Sequence, residues 1–483
     1  MADKFQAAVR NGAEQARDYS FESFISQPVR RLALVTPWSG GNLGNSAILS
    51  AVILNLSRRI ASIEFIGVTL SCEQTVRRFG IEAFPLTGAN PSYQAQCDSG
   101  KSDRCEKSTR ARIKECLKRL PLVSNLLRRV NTIVREIRHI LAASRIVRSL
   151  DCVLVAGGGA LDEFWGGSWG HPWNLLKWSA LSRIHGVPFA FLSVGKCSLE
   201  RSTSRLFVKV ALRLACYRSY RDPDSKNAVQ SLINASDDPV VPDLAFSYPL
   251  PDLQNRRTCS SLEGRLVIGF SPIAYCDPRV WPLKDEERYA RYLRQLSGIV
   301  KWLLKDGHQL IFFATDSPDL ETIKDLFAAI ADFKYDPRAI LTLPGPVEQT
   351  IDGHLQGIGG ADFVVASRLH GVILSHVIAL PVIAISFDPK VDAHMASINQ
   401  MKYCMDINTF TLDGFVERFE KLKAARRCEQ MQLRSAVEDF RRQVDFQYDR
   451  IFGSEIRLNN RQLAELSAAE VAAQNDLKPL LRK

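Results

Sequence analysis

The chain contains no run of eighteen apolar residues, so no segment reads as a membrane-spanning helix. Residues 1–28 are polar and lack the apolar stretch of an export signal, which gives the expectation of a soluble cytoplasmic protein. Its 11 cysteines form no close CxxC pair and are scattered from Cys72 to Cys428. That excludes a disulfide framework or a zinc site and reads as reduced, partly buried thiols. The glycine turn near the start is not a GxGxxG dinucleotide fingerprint, and no Walker lysine follows it. Zinc-finger, helix-turn-helix and aromatic-basic RNA signatures are missing too, so charge alone speaks for nucleic acid.

That charge is local. Formal net charge is +11, yet residues 101–148 hold 14 Lys or Arg against 4 Asp or Glu, about +10 of the total. At 483 residues with 46% apolar content the chain exceeds one ordinary core, and two α/β domains are expected. Leu32–Val35 reads as a first strand, followed by the turn Gly40–Asn45, a helix from about Ser46 to Arg59, and a strand near Glu64–Thr69. Residues 87–108 read as a turn-rich, mobile loop. Beyond it Leu122, Leu126, Val130, Ile133, Val134, Ile137, Ile140 and Leu141 recur at helical spacing, with Arg128, Arg129, Arg135, Arg138 and Arg145 between them. This basic amphipathic helix is compatible with three uses: covering the first sheet, meeting an anionic membrane or lipid-phosphate acceptor, or binding another macromolecule.

Further strands are expected at Asp151–Ala156 and Phe189–Val194. A stretch rich in Pro, Asp and Ser, residues 237–263, reads as the connection to a second series at Leu266–Phe270, Gln309–Ala314, Ala339–Leu343, Asp362–Ala366 and Val382–Ser386. The expected division is a Rossmann-like domain over 29–250 with a basic helical insertion near 100–148, a second over 264–405, and helices and tail over 413–483.

The candidate chemistry lies at strand ends, where open α/β sheets bind ligands. Arg368 and His370 follow the Asp362–Ala366 strand: a guanidinium fork suits phosphate or carboxylate, and an imidazole moves protons near neutral pH. The positive end of the following helix favours neutral His370 as a base; the bland alternative is a surface arginine and a satisfied histidine at a helix start. Gly40, Gly41 and Gly44 permit a tight turn and close ligand approach, or simply a structural turn, and Asn42 and Asn45 could bond a ligand or cap the helix. Gly157, Gly158 and Gly159 line a site or make room for a loop, with Asp162 and Glu163 just beyond; Asp162 could act as a base, orient a hydroxyl or cap a helix. Arg221-Asp222 is either an internal ion pair with a cap or an aid to neutralising a donor, with Ser225 steadying the turn. Trp165, Trp169 and Trp173 could line a sugar face or pack internally.

Taken in order, Gly41-Asn42-Leu43-Gly44-Asn45, Val153 to Gly159, Arg221-Asp222-Pro223-Asp224-Ser225, Ser367-Arg368-Leu369-His370-Gly371 and Ile385 to Val391 resemble the polysaccharide pyruvyl transferase family. The resemblance spans roughly residues 31–400. It implies two Rossmann-like domains facing a central cleft, glycosyltransferase-B-like. It also implies transfer of pyruvate from phosphoenolpyruvate onto two hydroxyls of a sugar in a cell-surface polysaccharide or its precursor, lipid-linked or not. On this implication His370 and Arg368 are catalytic, and Gly41, Asn42, Gly44, Asn45, Gly158, Gly159, Asp162, Arg221, Ser367, Leu369 and Lys390 bind substrate. Phe387 stands where the family often has tyrosine before Asp-Pro-Lys. The scheme needs no metal, nicotinamide or other cofactor. Two rival classes are a nucleotide-sugar glycosyltransferase and a non-catalytic, membrane-associated assembly protein.

Overall fold

In the computed structural model the described residues are 29–88, 121–163, 166–196, 199–250, 265–281 and 284–453. The expectations for residues 1–28, for 89–120, for Trp165 and for the tail from Asn459 lie outside them. The chain forms two compact units. The first holds the described residues up to Ser39, Leu56–Val240, and those from Tyr448; the second holds Gly40–Asn55 and Val241–Gln447.

The first unit is built on a six-stranded, wholly parallel sheet: β1 (Arg31–Val35), β2 (Glu64–Thr69), β3 (Glu82–Pro85), β4 (Cys152–Ala156), β5 (Phe189–Val194) and β6 (Tyr217–Tyr220). Their order is β3-β2-β1-β4-β5-β6, the doubly wound arrangement in which chain direction across the sheet reverses between β1 and β4. Burial on both faces explains the continuous apolar runs: β4 and β5 are buried at every position. The connecting helices are α1 (Leu43–Arg59), α2 (Cys72–Phe79), α3 (Pro121–Arg148), α4 (His171–Ile184), α5 (Ser202–Leu214) and α6 (Pro223–Gln230). Only the C-terminal turn of α1 counts with the first unit.

The second unit repeats this plan. Strands β7 (Val267–Ser271), β8 (Gln309–Phe312), β9 (Ile340–Thr342), β10 (Phe363–Ala366), β11 (Val382–Ser386) and β12 (Cys404–Asp406) are all parallel, in the order β12-β11-β10-β7-β8-β9. Helices α7 (Glu286–Lys305), α8 (Asp319–Ala329), α9 (Ile351–Ile358), α10 (Leu369–Val377) and α11 (Pro389–Ser397) connect them, and α12 (Leu412–Phe452) closes the described chain as one 41-residue helix.

Helix α3 does not use the stripe that its hydrophobic periodicity suggests. Val130, Ile133, Val134, Ile137 and Leu141 are exposed, while His139, Ala143 and Val147 are buried. The reason is a polar anchor that hydrophobicity counting misses. The Lys177 ammonium of α4 donates to Glu136 at 2.9 Å, to the Leu86 carbonyl at 3.1 Å, and lies 3.2 Å from His139 Nδ1. His139 Nε2 lies 2.7 Å from the Pro85 carbonyl, which makes it the donor there and leaves Nδ1 to accept from Lys177. Burial draws the Lys177 ammonium down to about 8, with Glu136 acting against that fall.

His354 of α9 is a different kind of buried histidine. Its ring packs on Phe313 at 5.1 Å between centroids, and neither nitrogen has a hydrogen-bond partner among the described residues. Burial drives it down to about 3 from the ordinary 6.5. A histidine depressed in the folded state leaves stability intact above the unfolded pKa and removes it as pH falls below 6.5, because the unfolded chain takes up the proton first. Between pH 7 and pH 4.5 this single group should account for about 2–3 kcal/mol of lost stability. Urea unfolding of His354→Leu at both pH values is expected to show a loss smaller by that amount; an unchanged pH dependence contradicts the assignment.

Candidate functional site

In the second unit the chain direction reverses between β7 and β10, and the carboxyl ends of these two strands define the place where a doubly wound sheet opens for a ligand. Ser271 ends β7, and its carbonyl accepts from the Ser367 amide at 3.1 Å, locking the two strand ends together. The Ser367 side chain is buried and lies 3.4 Å from the Tyr292 hydroxyl, which itself accepts from the Ile273 amide. Leu369 is also buried.

Arg368 is the N-cap of α10, but its side chain makes no capping bond. The guanidinium instead grips two carboxylates. Nε and Nη2 donate to the two oxygens of Asp319 at 2.5 and 2.8 Å, and Nη1 lies 3.2 Å from Asp316. Asp319 is fully buried and accepts a further bond from the Ala274 amide. Burial works against both charges: it pushes the Asp319 carboxyl up to about 6 with Arg368 acting against that rise, while the two carboxylates raise Arg368 above its ordinary value. Two guanidinium N–H groups are therefore committed to Asp319, the third nitrogen is ion-paired with Asp316, and the trio carries a formal charge of −1. The fork expected for a free anion is largely an internal clamp, and Asp316 and Asp319 were not singled out in the sequence.

His370 sits on the first turn of α10, with its ring directly over Gly44. A Cβ built on Gly44 would fall 1.9 Å from His370 Cγ and 2.2 Å from Nδ1, so only glycine fits beneath the imidazole. His370 Nε2 faces Asp243 Oδ2 at 3.9 Å. The other oxygen of Asp243 accepts from the Ala245 amide at 3.0 Å, capping a short 3-10 turn at Leu244–Ser247. Ser271 completes the surroundings. Its buried hydroxyl has no hydrogen-bond partner among the described residues and lies 3.4 Å from where a Gly371 Cβ would stand.

The Gly41–Asn45 turn belongs to this unit. Leu43 donates to the Thr315 carbonyl at 2.8 Å and Ser317 to the Gly41 carbonyl at 3.0 Å, so the turn lies against the segment carrying Asp316. A Cβ on Gly41 would approach Ser317 Oγ to 2.8 Å. The Asn42 side chain accepts from the Asn45 amide at 2.9 Å, a capping role for α1. Lys390 lies 3.0 Å from Asp388 and 5.8 Å above the Phe387 ring, which packs on Tyr275 and Trp281. Thus Gly41, Asn42, Gly44, Ser367, Leu369, Arg368 and His370 come together.

Gly158, Gly159, Asp162 and Arg221 lie in the first unit, at the carboxyl ends of β4 and β6. Gly157 and Gly158 take positive φ, and the Gly158 carbonyl accepts from Gly195 at 2.7 Å. The Arg221 guanidinium occupies the space that a side chain at Gly195 would need, 2.5 Å from its Cβ position, and approaches Asp222 at 3.4 Å. Asp222 caps α6 through the Ser225 amide at 2.7 Å. Glu163 accepts from the Glu200 and Arg201 amides. Trp169 and Trp173 stack with Phe207, so they pack as a cluster rather than singly.

Breaking a buried ion pair strands the remaining charge, at a cost of about 3–5 kcal/mol. Arg368→Met should lower unfolding free energy by that order in urea titrations, and adding Asp319→Asn should recover part of it. Equal stability of the parent and Arg368→Met would rule out the clamp.

Comparison with known proteins bears on both fold and family. No curated protein matches the chain in sequence. S. aureus MnaA, solved with UDP, superposes with a TM-score of 0.51 at 11% identity, covering 88% of this chain and 100% of that one. A putative UDP-N-acetylglucosamine 2-epimerase from Listeria monocytogenes gives 0.52 at 9% identity, covering 89% and 99%. A glycosyltransferase from Rickettsia africae gives 0.52 at 9% identity, covering 88% and 99%. At such identities these likenesses establish the fold alone: two Rossmann-like units of glycosyltransferase-B type. The family model described as polysaccharide pyruvyl transferase matches residues 42–389, well over half of the chain. That span runs from the Asn42 cap to the start of α11 and includes His370 and Arg368; the chain is an enzyme that belongs to the polysaccharide pyruvyl transferase family.

Proposed function

We propose that the protein transfers pyruvate from phosphoenolpyruvate onto two hydroxyls of a sugar in a cell-surface polysaccharide or its precursor, as a ketal. The observation that supports this reading best is His370, fixed between Gly44 and Asp243 on the first turn of α10. The donor's charged groups meet the first-turn amides of α10 and the Ser271 hydroxyl, with the remaining N–H groups of Arg368 beside them. Lys390 is assigned to the donor as a second cation, and the first unit's Gly158, Gly159, Asp162 and Arg221 to substrate.

The chemistry balances without an added reagent. A proton reaches the donor's methylene carbon, and the resulting oxocarbenium carbon is attacked by one sugar hydroxyl. The C–O bond to phosphate then breaks, and the second hydroxyl closes the ketal. Two hydroxyl protons are released; one is accounted for by the new methyl group and the other leaves on inorganic phosphate. His370 carries the proton between hydroxyl and methylene, and Asp243 orients the ring and stabilises its charged form.

Acceptor-dependent phosphate release from phosphoenolpyruvate, with the matching mass gain on the glycan, tests the reading. His370→Ala should lower turnover by about 10²–10⁴-fold at unchanged thermal stability, the range of a lost general acid–base group. Asp243→Asn should cost less and shift the pH profile. Turnover with a nucleotide sugar and none with phosphoenolpyruvate overturns the proposal in favour of glycosyl transfer.

A further inference from the structure

Helix α3 has two working faces. One is anchored by Glu136 and His139 onto Lys177. On the opposite side Val130, Ile133, Val134, Ile137 and Leu141, spaced i, i+3, i+4, i+7 and i+11, are 46, 58, 38, 51 and 57% exposed. Five large apolar side chains in one solvent-facing stripe are more than scattered surface residues require. Arg135, Arg138, Arg145 and Arg148 are exposed on the same helix. The helix's one acid, Glu136, is turned inward to Lys177 and to the Trp173 indole. Trp173 in turn stacks with Trp169, whose ring is 63% exposed, so a tryptophan stands open beside this helix.

We propose that this face of α3 docks on an anionic lipid bilayer, its apolar stripe entering the headgroup boundary and its arginines pairing with lipid phosphates. Charge selects this occupant over two others. A second copy meeting through the same helix would bring arginine rows together, and the helix's one acid is already committed to Lys177. The 89–120 segment of this chain carries 8 Lys or Arg against 4 Asp or Glu, so it too is repelled. A lipid surface supplies both missing partners, an apolar layer and negative charge. The inference concerns where the enzyme works and stands apart from the ketal chemistry.

Flotation of the full chain with phosphatidylcholine vesicles, and with the same vesicles carrying phosphatidylglycerol, is the test. Binding is expected only to the anionic vesicles and should fall at high salt. Each arginine near such a surface is worth about five-fold in partitioning, so Arg138→Ala with Arg145→Ala should weaken binding roughly twenty-fold. Ile133→Asp with Ile137→Asp should abolish it, with thermal unfolding unchanged because both positions face solvent. Absent binding, or equal binding to neutral and anionic vesicles, overturns the proposal. So does a self-associated chain that dissociates with Ile133→Asp and Ile137→Asp, which assigns the face to a second copy instead.

Discussion

The ion cluster of Arg368 with Asp319 and Asp316 is the constraint from which the rest of the second unit's site follows. It joins the end of β10 to the single stretch that runs from β8 into the start of α8, two pieces of chain that the sheet alone would hold less closely. Because Asp319 is fully buried and also holds the Ala274 amide, the clamp fixes the backbone after β7 as well. The direction of α10's first turn is thereby set, and with it the position of His370. Asp316 is in turn held where the Gly41–Leu43 turn lies against it, which brings Gly44 beneath the imidazole. A buried charge pair contributes little net stability against an apolar substitute, so its value here is geometric.

Much of this architecture was legible in the sequence because buried parallel strands have a strong signature. The runs at β1, β4, β5, β7, β10 and β11 are apolar at nearly every position, and their observed bounds fall within a residue or two of the sequence reading. The edge strands carry no such run. β3 is one exposed and three half-buried residues ending in proline, β6 is Tyr-Arg-Ser-Tyr, and β12 is three residues long. Each is short and only partly buried, so it presents no continuous apolar run.

The site shows the same division. His370, Arg368 and the glycine turn were visible as unusual residues at strand ends. Asp243 was not, since it lies in a Pro- and Asp-rich stretch that reads as a connection between domains; nothing local distinguishes a capping aspartate from one that also faces a histidine 127 positions later. Asp316 and Asp319 have the same disguise, being acids at a helix start, where acids are common for reasons of the helix dipole. Helix α3 is the converse case. Its most regular apolar stripe is the exposed one, while the face that docks is held by a lysine, a glutamate and a histidine.

The membership of Gly40–Asn55 in the second unit sets the order of events during synthesis. Gly41 bonds to Ser317 across 276 positions, and Asn55 donates to the Ser247 carbonyl across 192. Gly44 of the same helix packs beneath His370, so at elongation of about 5–20 residues per second the first half of α1 leaves the ribosome roughly 15–65 s before that partner exists. Leu43, Ala47, Ile48 and Val52, all buried in the finished protein, must wait through that interval without their final packing. The nascent chain therefore carries an apolar helix early, and the glycine-rich turn is among the last parts of the enzyme to reach its final packing.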